Sequence, residues 1–161
     1  MPERLIVCVP GCRGSRLEEN FFGHHADFSQ GIPRYQEYNE GVVFVRKNQK
    51  KLGWNMRNPK TEFGRNLFLR VRRDLNCYRR SLRLCCALGS ALDYYHGIDG
   101  FFFFEADLVN IVTFDLSENK IRKLKPKADF VISGEDLCDP EKTAELASQI
   151  SRRLRTSVWS N

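Results

Sequence analysis

The most hydrophobic part of the chain consists of two apolar runs separated by a short polar turn. Residues 101–104 are four consecutive phenylalanines, and a run of mostly β-branched and aromatic residues spans 108–116. Runs of this length bounded by polar residues are typical of buried strands. The turn at 105–107 is short, which predicts an antiparallel hairpin of strands over 99–104 and 108–116.

Shorter apolar runs predict three further strands and one short helix. The strands are expected at 5–9, 41–45 and 128–133, because each of these segments is rich in Val, Ile or Phe. Residues 17–22 predict the short helix. The segments between these runs are polar and irregular.

An apolar stripe with helical spacing precedes the hairpin. Its members are separated by three or four residues, which predicts one long helix over 58–96. Asn58 is the expected N-cap and Gly97 the expected residue after the helix end. A break near Gly64 or Gly89 stays open, since the span is long for a globular helix. The stripe consists of Phe68, Val71, Leu75, Tyr78, Leu82, Cys85, Gly89 and Leu92.

A C-terminal helix completes the predicted elements. Asp139 is its expected cap, Pro140 its first residue, and Leu146, Ile150 and Leu154 its apolar face. We therefore predict an α/β or α+β fold, a three-layer unit whose small mixed or antiparallel sheet is flanked by the long helix and the C-terminal helix. We predict one domain over 1–161, with strands and loops over 1–57 and a helix-strand-strand-strand-helix core over 58–155.

Positive charge is concentrated in one part of the sequence. The segment 46–83 holds 13 Lys and Arg residues against Glu62 and Asp74, a net charge of +11, whereas the rest of the chain carries −5. Like charges on one helix face repel each other unless an anionic partner neutralises them. This pattern favours a surface that binds DNA or RNA, although a solvated helix face is the alternative. The predicted nucleic-acid-binding residues are Arg65, Arg72, Arg73, Arg79, Arg80 and Arg83.

The cysteines show no paired CxxC spacing. A zinc site formed by Cys8, Cys12, His24 and His25 is conceivable, but structural cysteines and surface histidines are the simpler interpretation. The first apolar run is too short for a signal peptide, and no stretch approaches the length of a transmembrane helix. We therefore expect an intracellular, cytoplasmic protein with reduced thiols. The oligomeric state stays open.

Two aspartates stand at the ends of the predicted hairpin strands. Asp99 precedes the phenylalanine run, and Asp115 lies near the end of the next strand. Such residues are either turn-forming residues or parts of a site. Glu62, in the first turn of the predicted long helix, is either a favourable helix-terminal acid or a third member of that site.

These residues and the order of elements over roughly 58–155 resemble the PD-(D/E)xK nuclease-like superfamily. The resemblance rests on Glu62, on Gly97-Ile98-Asp99 before a strand, and on Asp115-Leu116-Ser117 at the end of the next strand. It implies Mg²⁺-dependent phosphodiester cleavage, with Asp99 and Asp115 as metal ligands and catalytic residues and Glu62 assisting. A hard divalent ion held by carboxylates suits this chemistry.

The sequence departs from the family pattern at two points. Ser117 stands where the family has its catalytic lysine, and Lys120 is the nearest lysine that could serve. The family also has a strand between its first helix and the Gly-x-Asp, where one continuous helix is predicted here. In the alternative register, Asp115 is the first acid and Asp129 the second. Three hypotheses follow: a possibly degenerate nuclease-like protein, a non-catalytic nucleic-acid-binding module, or a protein-interaction or structural protein.

Overall fold

The computed structural model describes residues 14–23, 27–28, 31–76, 81–105, 107–118 and 127–159. The predicted strand at 5–9 lies outside these ranges. The described elements are, in chain order, α1 (Gly14–Phe22), α2 (Tyr38–Lys47), a 3-10 helix (Gln49–Leu52), α3 (Glu62–Leu75), β1 (Leu82–Cys86), α4 (Ala91–His96), β2 (Gly100–Phe104), β3 (Asp107–Leu116), β4 (Phe130–Ile132), α5 (Gly134–Cys138) and α6 (Pro140–Trp159).

Within the described residues, the strands form one four-stranded sheet in the order β1-β2-β3-β4. The pairs β1–β2 and β2–β3 are antiparallel, and β4 runs parallel to β3. Phe102 lies between Leu84 on β1 and Val112 on β3 in this register. The predicted hairpin and the predicted strand near 128–133 are therefore confirmed.

The phenylalanine run forms the centre of the core on both faces of the sheet. Side chains alternate along a strand, so Phe102 and Phe104 pack with α1, α3 and α6, whereas Phe101 and Phe103 pack with α2 and α4. All four side chains are buried. The result is a layer of helices on each side of a mixed sheet, which confirms the predicted α/β or α+β class.

The C-terminal helix is also confirmed. It begins at Pro140 and buries Leu146, Ile150 and Leu154 against the sheet. The sequence did not predict α5, a single short helix that is closed at its start by a capping box between Ser133 and Asp136.

The predicted strand at 41–45 is wrong, because this segment lies in helix α2. Val42 and Val45, three residues apart, are buried, while Val43 and Phe44 face outward. β-branched residues favour strands only weakly, and here packing of one helical face on the sheet overrides that preference.

The predicted long helix over 58–96 is also wrong. It divides into α3, β1 and α4, and α3 begins after Thr61, whose hydroxyl accepts a hydrogen bond from the Gly64 N–H. Helix α3 ends at Leu75 and is followed by Asn76, which has a φ of +49°. Every residue of β1 is buried, which is typical of a strand covered on both faces and not of one helix face. Its apolar positions therefore matched the helical spacing only by coincidence. Gly97 does follow the end of α4 in the left-handed conformation, as predicted.

Strand β1 is an edge strand whose outward backbone groups are satisfied by the segment that precedes α3. The Gln49 side chain donates to the Cys86 carbonyl at 2.7 Å and accepts from the Cys86 N–H at 2.8 Å. The Trp54 indole donates to the Leu84 carbonyl at 2.8 Å, and the Leu84 N–H donates to the Met56 carbonyl at 3.0 Å. This covering removes the free edge that would otherwise pair with another chain.

The structure also bears on the expectations about transmembrane helices and about reduced thiols. Among the described residues, no helix has the length and apolar character needed to cross a membrane. Cys85 and Cys86 are buried free thiols, as expected. Cys138, in contrast, is disulfide-bonded, so the expectation of reduced thiols is wrong for this residue.

Candidate functional site

The hairpin brings Asp99 and Asp115 to the same end of the sheet on neighbouring strands. The Asp99 N–H donates to the Phe114 carbonyl at 3.0 Å, directly beside Asp115 in β3. The Asp99 carboxyl Oδ2 accepts from the Leu116 N–H at 2.7 Å. This hydrogen bond links the start of β2 to the end of β3 and holds the Asp99 side chain in place.

Asp99 is a buried carboxyl group with an unusual titration. Its exposed fraction is 2%. Burial, followed by the carboxylates of Asp93 and Glu18, raises the pKa of Asp99 to about 9, against the lowering effect of the Leu116 N–H. Asp99 is therefore neutral at pH 7. Asp115 is 7% exposed and also belongs to this buried end of the sheet.

The sequence did not identify Glu18 and Asp93 as neighbours of Asp99. Glu18 lies on α1, and Asp93 lies in the first turn of α4, where its carboxylate accepts from the Gly89 N–H at 2.8 Å. The position of Asp93 six residues before Asp99 was the available signal. It was hidden because α4 was taken as part of a longer helix.

The described residues at this end of the sheet do not form a group of three or more Mg²⁺ ligands. Asp99 already uses one carboxyl oxygen to accept from the Leu116 N–H, and its carboxyl group is also hydrogen-bonded to that of Asp93. Across the described ranges, no three or more His, Cys, Asp or Glu side chains are arranged to hold a metal ion. Lys120, which might replace the missing lysine, lies outside these ranges. We therefore derive no catalytic step through a metal.

Glu62 lies apart from this end of the sheet. It is the first residue of α3, is exposed, and lines a surface cavity together with Leu137 and Cys138 of α5. The charges that act on Asp99 come instead from α1 and α4. Its position fits the helix-terminal interpretation.

Asp129 joins the sheet to helix α6. Its carboxylate accepts from the Thr113 N–H at 2.9 Å and forms an ion pair with Arg153 at 3.0 Å. These contacts give Asp129 a structural role that connects β3 with the last helix. The alternative register, with Asp129 as the second acid, has no support from this geometry.

The predicted row of helical arginines is only partly formed. Arg65, Arg72 and Arg73 lie on α3, where Arg65 and Arg73 are exposed and Arg72 is half-buried. Arg79 and Arg80 lie outside the described residues.

The prediction for Arg83 is wrong, because this residue lies in strand β1 and is 5% exposed. Its guanidinium donates to the Leu82 carbonyl at 2.8 Å and forms an ion pair with Glu105. Because both interactions use donors of the guanidinium, Arg83 closes the edge of the sheet and does not present a free cation to solvent.

Seven other cations between residues 47 and 73 have neither an ion pair nor a side-chain hydrogen bond within the described part of the chain. Six are exposed and one is half-buried. They begin on α2 at one face of the sheet and continue on the 3-10 helix that covers the β1 edge. They end in the segment before α3 and on α3 itself, at the other face. We call this set the basic surface: Lys47, Lys50, Lys51, Lys60, Arg65, Arg72 and Arg73.

Trp54 is a core residue and not a platform for a base. It is 7% exposed, and its ring lies 5.1 Å from the Phe22 ring in an edge-to-face arrangement. Together with its hydrogen bond to β1, this packing fixes the segment that carries the neighbouring lysines.

An aromatic cluster at the surface was not predicted. The ring of Tyr35 lies 5.1 Å from that of Tyr95 and 6.0 Å from that of His96, while Tyr94 is 59% exposed. The His96 Nε2 lies 2.9 Å from the Gln36 carbonyl. The consecutive Tyr94, Tyr95 and His96 were the signal in the sequence.

The proposed zinc residues Cys8, Cys12, His24 and His25 lie outside the described ranges.

No protein-family model matches the chain, and neither a curated protein nor a solved structure is significantly similar to it.

Proposed function

We propose that the chain binds nucleic acid through the basic surface, on a nuclease-like scaffold that does not cleave its ligand. The observation that carries this proposal is the absence of acidic partners, among the described residues, for the seven cations of that surface. A phosphate backbone supplies negative charges at regular spacing, and it releases condensed counterions into solution when such a surface neutralises its phosphates, which favours binding.

Rigidity of the basic surface favours a binding role over a loose solvated face. Gln49 and Trp54 tie the segment that carries Lys47, Lys50 and Lys51 to the backbone of β1. Helix α3 is anchored by buried residues along its inner face. Because the elements are fixed, the backbone positions of these cations are fixed before a ligand arrives, and less conformational entropy is lost on binding.

Two observations support the nuclease-like scaffold. Strand β1 stands between α3 and Gly97-Ile98-Asp99, where the sequence had predicted a continuous helix. Asp99, directly before β2, and Asp115, in the neighbouring strand β3, lie at one end of the sheet. Ser117, which stands where the family has its catalytic lysine, favours binding without cleavage.

Fluorescence anisotropy with labelled single-stranded DNA, duplex DNA and RNA tests the proposal. The variant Lys51→Glu/Arg65→Glu should lose roughly tenfold or more in affinity, because two phosphate-facing charges become repulsive. The control Arg34→Glu/Arg152→Glu makes the same change in net charge at exposed positions outside the basic surface. It should stay within about twofold of the wild type, apart from a weak long-range effect.

Three outcomes would contradict the proposal. If no nucleic acid binds at low salt, the cations serve another partner, such as an acidic protein. If both double variants lose affinity equally, binding follows net charge and not the basic surface. If Mg²⁺ or Mn²⁺ supports cleavage that disappears in Asp99→Ala and Asp115→Ala, the non-cleaving part of the proposal is wrong.

A further inference from the structure

A surface cavity of about 280 Å³ lies beside the basic surface, between α2 and the covered edge of the sheet. Its lining combines three cationic side chains, one carboxylate and an apolar wall. The lining residues are Val43, Arg46, Lys47, Met56, Arg83, Phe103 and Glu105.

Arg46 is held in this cavity by the aromatic ring beneath it. Its guanidinium carbon lies 4.6 Å from the centroid of the Phe103 ring, and Phe103 is itself 2% exposed in the core. Stacking on an aromatic face suits the planar guanidinium and fixes its orientation. The Arg46 side chain is therefore positioned by the core of the protein and not by solvent.

The N–H groups of Arg46 are not used by the described residues. Its Nε is buried and has no hydrogen-bond acceptor there, and its other nitrogens form no ion pair or hydrogen bond within the same ranges. A fixed guanidinium with unused donors matches the oxygen geometry of a phosphate or carboxylate, which it binds through two parallel hydrogen bonds.

The carboxylate in the lining does not supply the missing acceptor. Glu105 forms ion pairs with Arg83 and, at 3.5 Å, with Arg57. Arg46 and Lys47 therefore remain without an anionic partner among the described residues. The cavity is net positive, with an apolar side formed by Val43 and Met56.

We propose that this cavity is a phosphate-binding subsite in which the Arg46 guanidinium and the Lys47 ammonium hold a phosphate group. The attached part of the ligand lies against Val43 and Met56. The phosphate comes either from a nucleotide or from a nucleic acid chain. In the second case the subsite rests on the proposed function and fixes one phosphate at a defined position beside the basic surface.

Nuclear magnetic resonance of the arginine Nε–H groups tests the subsite directly. The Arg46 signal is assigned by its loss in Arg46→Lys, a variant that keeps the charge but loses the forked donors. Inorganic phosphate, a nucleoside 5′-monophosphate and oligonucleotides with and without a 5′-phosphate are added in separate titrations. We expect the Arg46 signal to shift with each phosphate ligand that enters the cavity.

Calorimetric titration of the same ligands provides the affinity. For the ligand that shifts the Arg46 signal, the variants Arg46→Lys and Arg46→Met should each bind about tenfold or more weakly than the wild type. Arg34→Met, which removes an exposed cation outside both the cavity lining and the basic surface, should change it by less than about twofold. A preference for the 5′-phosphorylated oligonucleotide identifies a terminal phosphate, and equal binding identifies an internal one.

Failure of the subsite and failure of the proposed function give different results. If oligonucleotides bind but neither the Arg46 signal nor the Arg46 variants respond, the subsite is refuted and the nucleic-acid proposal stands. If nucleoside monophosphate shifts the Arg46 signal while no oligonucleotide binds, the subsite stands and the nucleic-acid proposal fails. A cavity that responds to none of these ligands refutes the subsite.

Discussion

At the scale of single residues, Asp99 shows how burial changes the chemistry of a carboxyl group. The sequence located Asp99 at the entry to β2 but gave no sign that the residue would be 2% exposed and close to two other carboxylates. Desolvation disfavours the charged form, so the folded state holds a proton that the unfolded chain would release near its ordinary pKa of about 3.8.

This titration makes stability depend on pH. Because the pKa of Asp99 is about 9 in the folded state, its contribution is fully present below about pH 4 and is lost as the pH rises towards 9. The decline is at most about 1.4 kcal/mol per pH unit from this one group. In Asp99→Asn the amide oxygen can still accept from the Leu116 N–H, but the side chain cannot ionise. The unfolding free energy of this variant should therefore vary less with pH than that of the wild type.

Urea denaturation at several pH values between about 5 and 9 measures this effect. Asp99→Asn should become more stable than the wild type at the alkaline end, whereas Glu62→Gln, at an exposed position, should follow the wild type. Parallel curves for all three proteins would mean that Asp99 is ionised in the folded state.

Gly100 gives a second residue-scale prediction. A Cβ at this position would lie 2.6 Å from the Phe114 ring and 2.8 Å from the Cys85 carbonyl oxygen. Gly100→Ala should therefore destabilise the protein by about 1–3 kcal/mol in denaturant unfolding. At Gly134 the nearest atom is 3.1 Å away on the Glu118 side chain, which can move. Gly134→Ala should change stability by less than about 1 kcal/mol, and equal losses at both glycines would contradict the tight approach at Gly100.

At the scale of elements, β1 is the part of the fold that the sequence concealed. The hairpin and α6 were predictable because their apolar residues lie in continuous runs or in one stripe with a clear cap. Strand β1 was not, because Leu82 and Cys85 happen to continue the spacing of α3. Likewise, α2 was taken for a strand because local preference for Val and Phe does not reveal which face a helix will bury.

The covering of β1 by Gln49 leads to a prediction at this scale. In Gln49→Leu, the buried N–H and carbonyl of Cys86 both lose their partner. An unsatisfied buried polar group costs about 1–3 kcal/mol, so the variant should lose about 2–4 kcal/mol of unfolding free energy. Hydrogen exchange of the Cys86 amide should also become faster.

The neighbouring Lys50→Ala is the matched control, because Lys50 is exposed and forms no such contact in the described structure. It should stay within about 0.5 kcal/mol of the wild type. A Gln49→Leu protein that unfolds like this control would show that the edge of β1 does not depend on the glutamine.

At the scale of the whole molecule, charge is arranged around the edge of the sheet. The sequence predicted the basic segment correctly as a concentration of charge, but assigned its part from residue 58 onward to one long helix. In the structure the cations follow α2, the 3-10 helix and α3, and Arg83 is withdrawn into an ion pair with Glu105. The sequence could not predict this division, because it depends on which side of β1 each element packs.

The salt dependence of oligonucleotide affinity tests the central claim most directly. For the wild type, the logarithm of the association constant should fall linearly with the logarithm of salt concentration, by about 0.7 per phosphate contact on single strands and about 0.9 on duplex DNA. Lys51→Glu/Arg65→Glu should flatten this slope by about two contacts, and Arg34→Glu/Arg152→Glu should leave it unchanged. No binding at about 50 mM salt, or one slope shared by all three proteins, would contradict nucleic-acid binding through the basic surface.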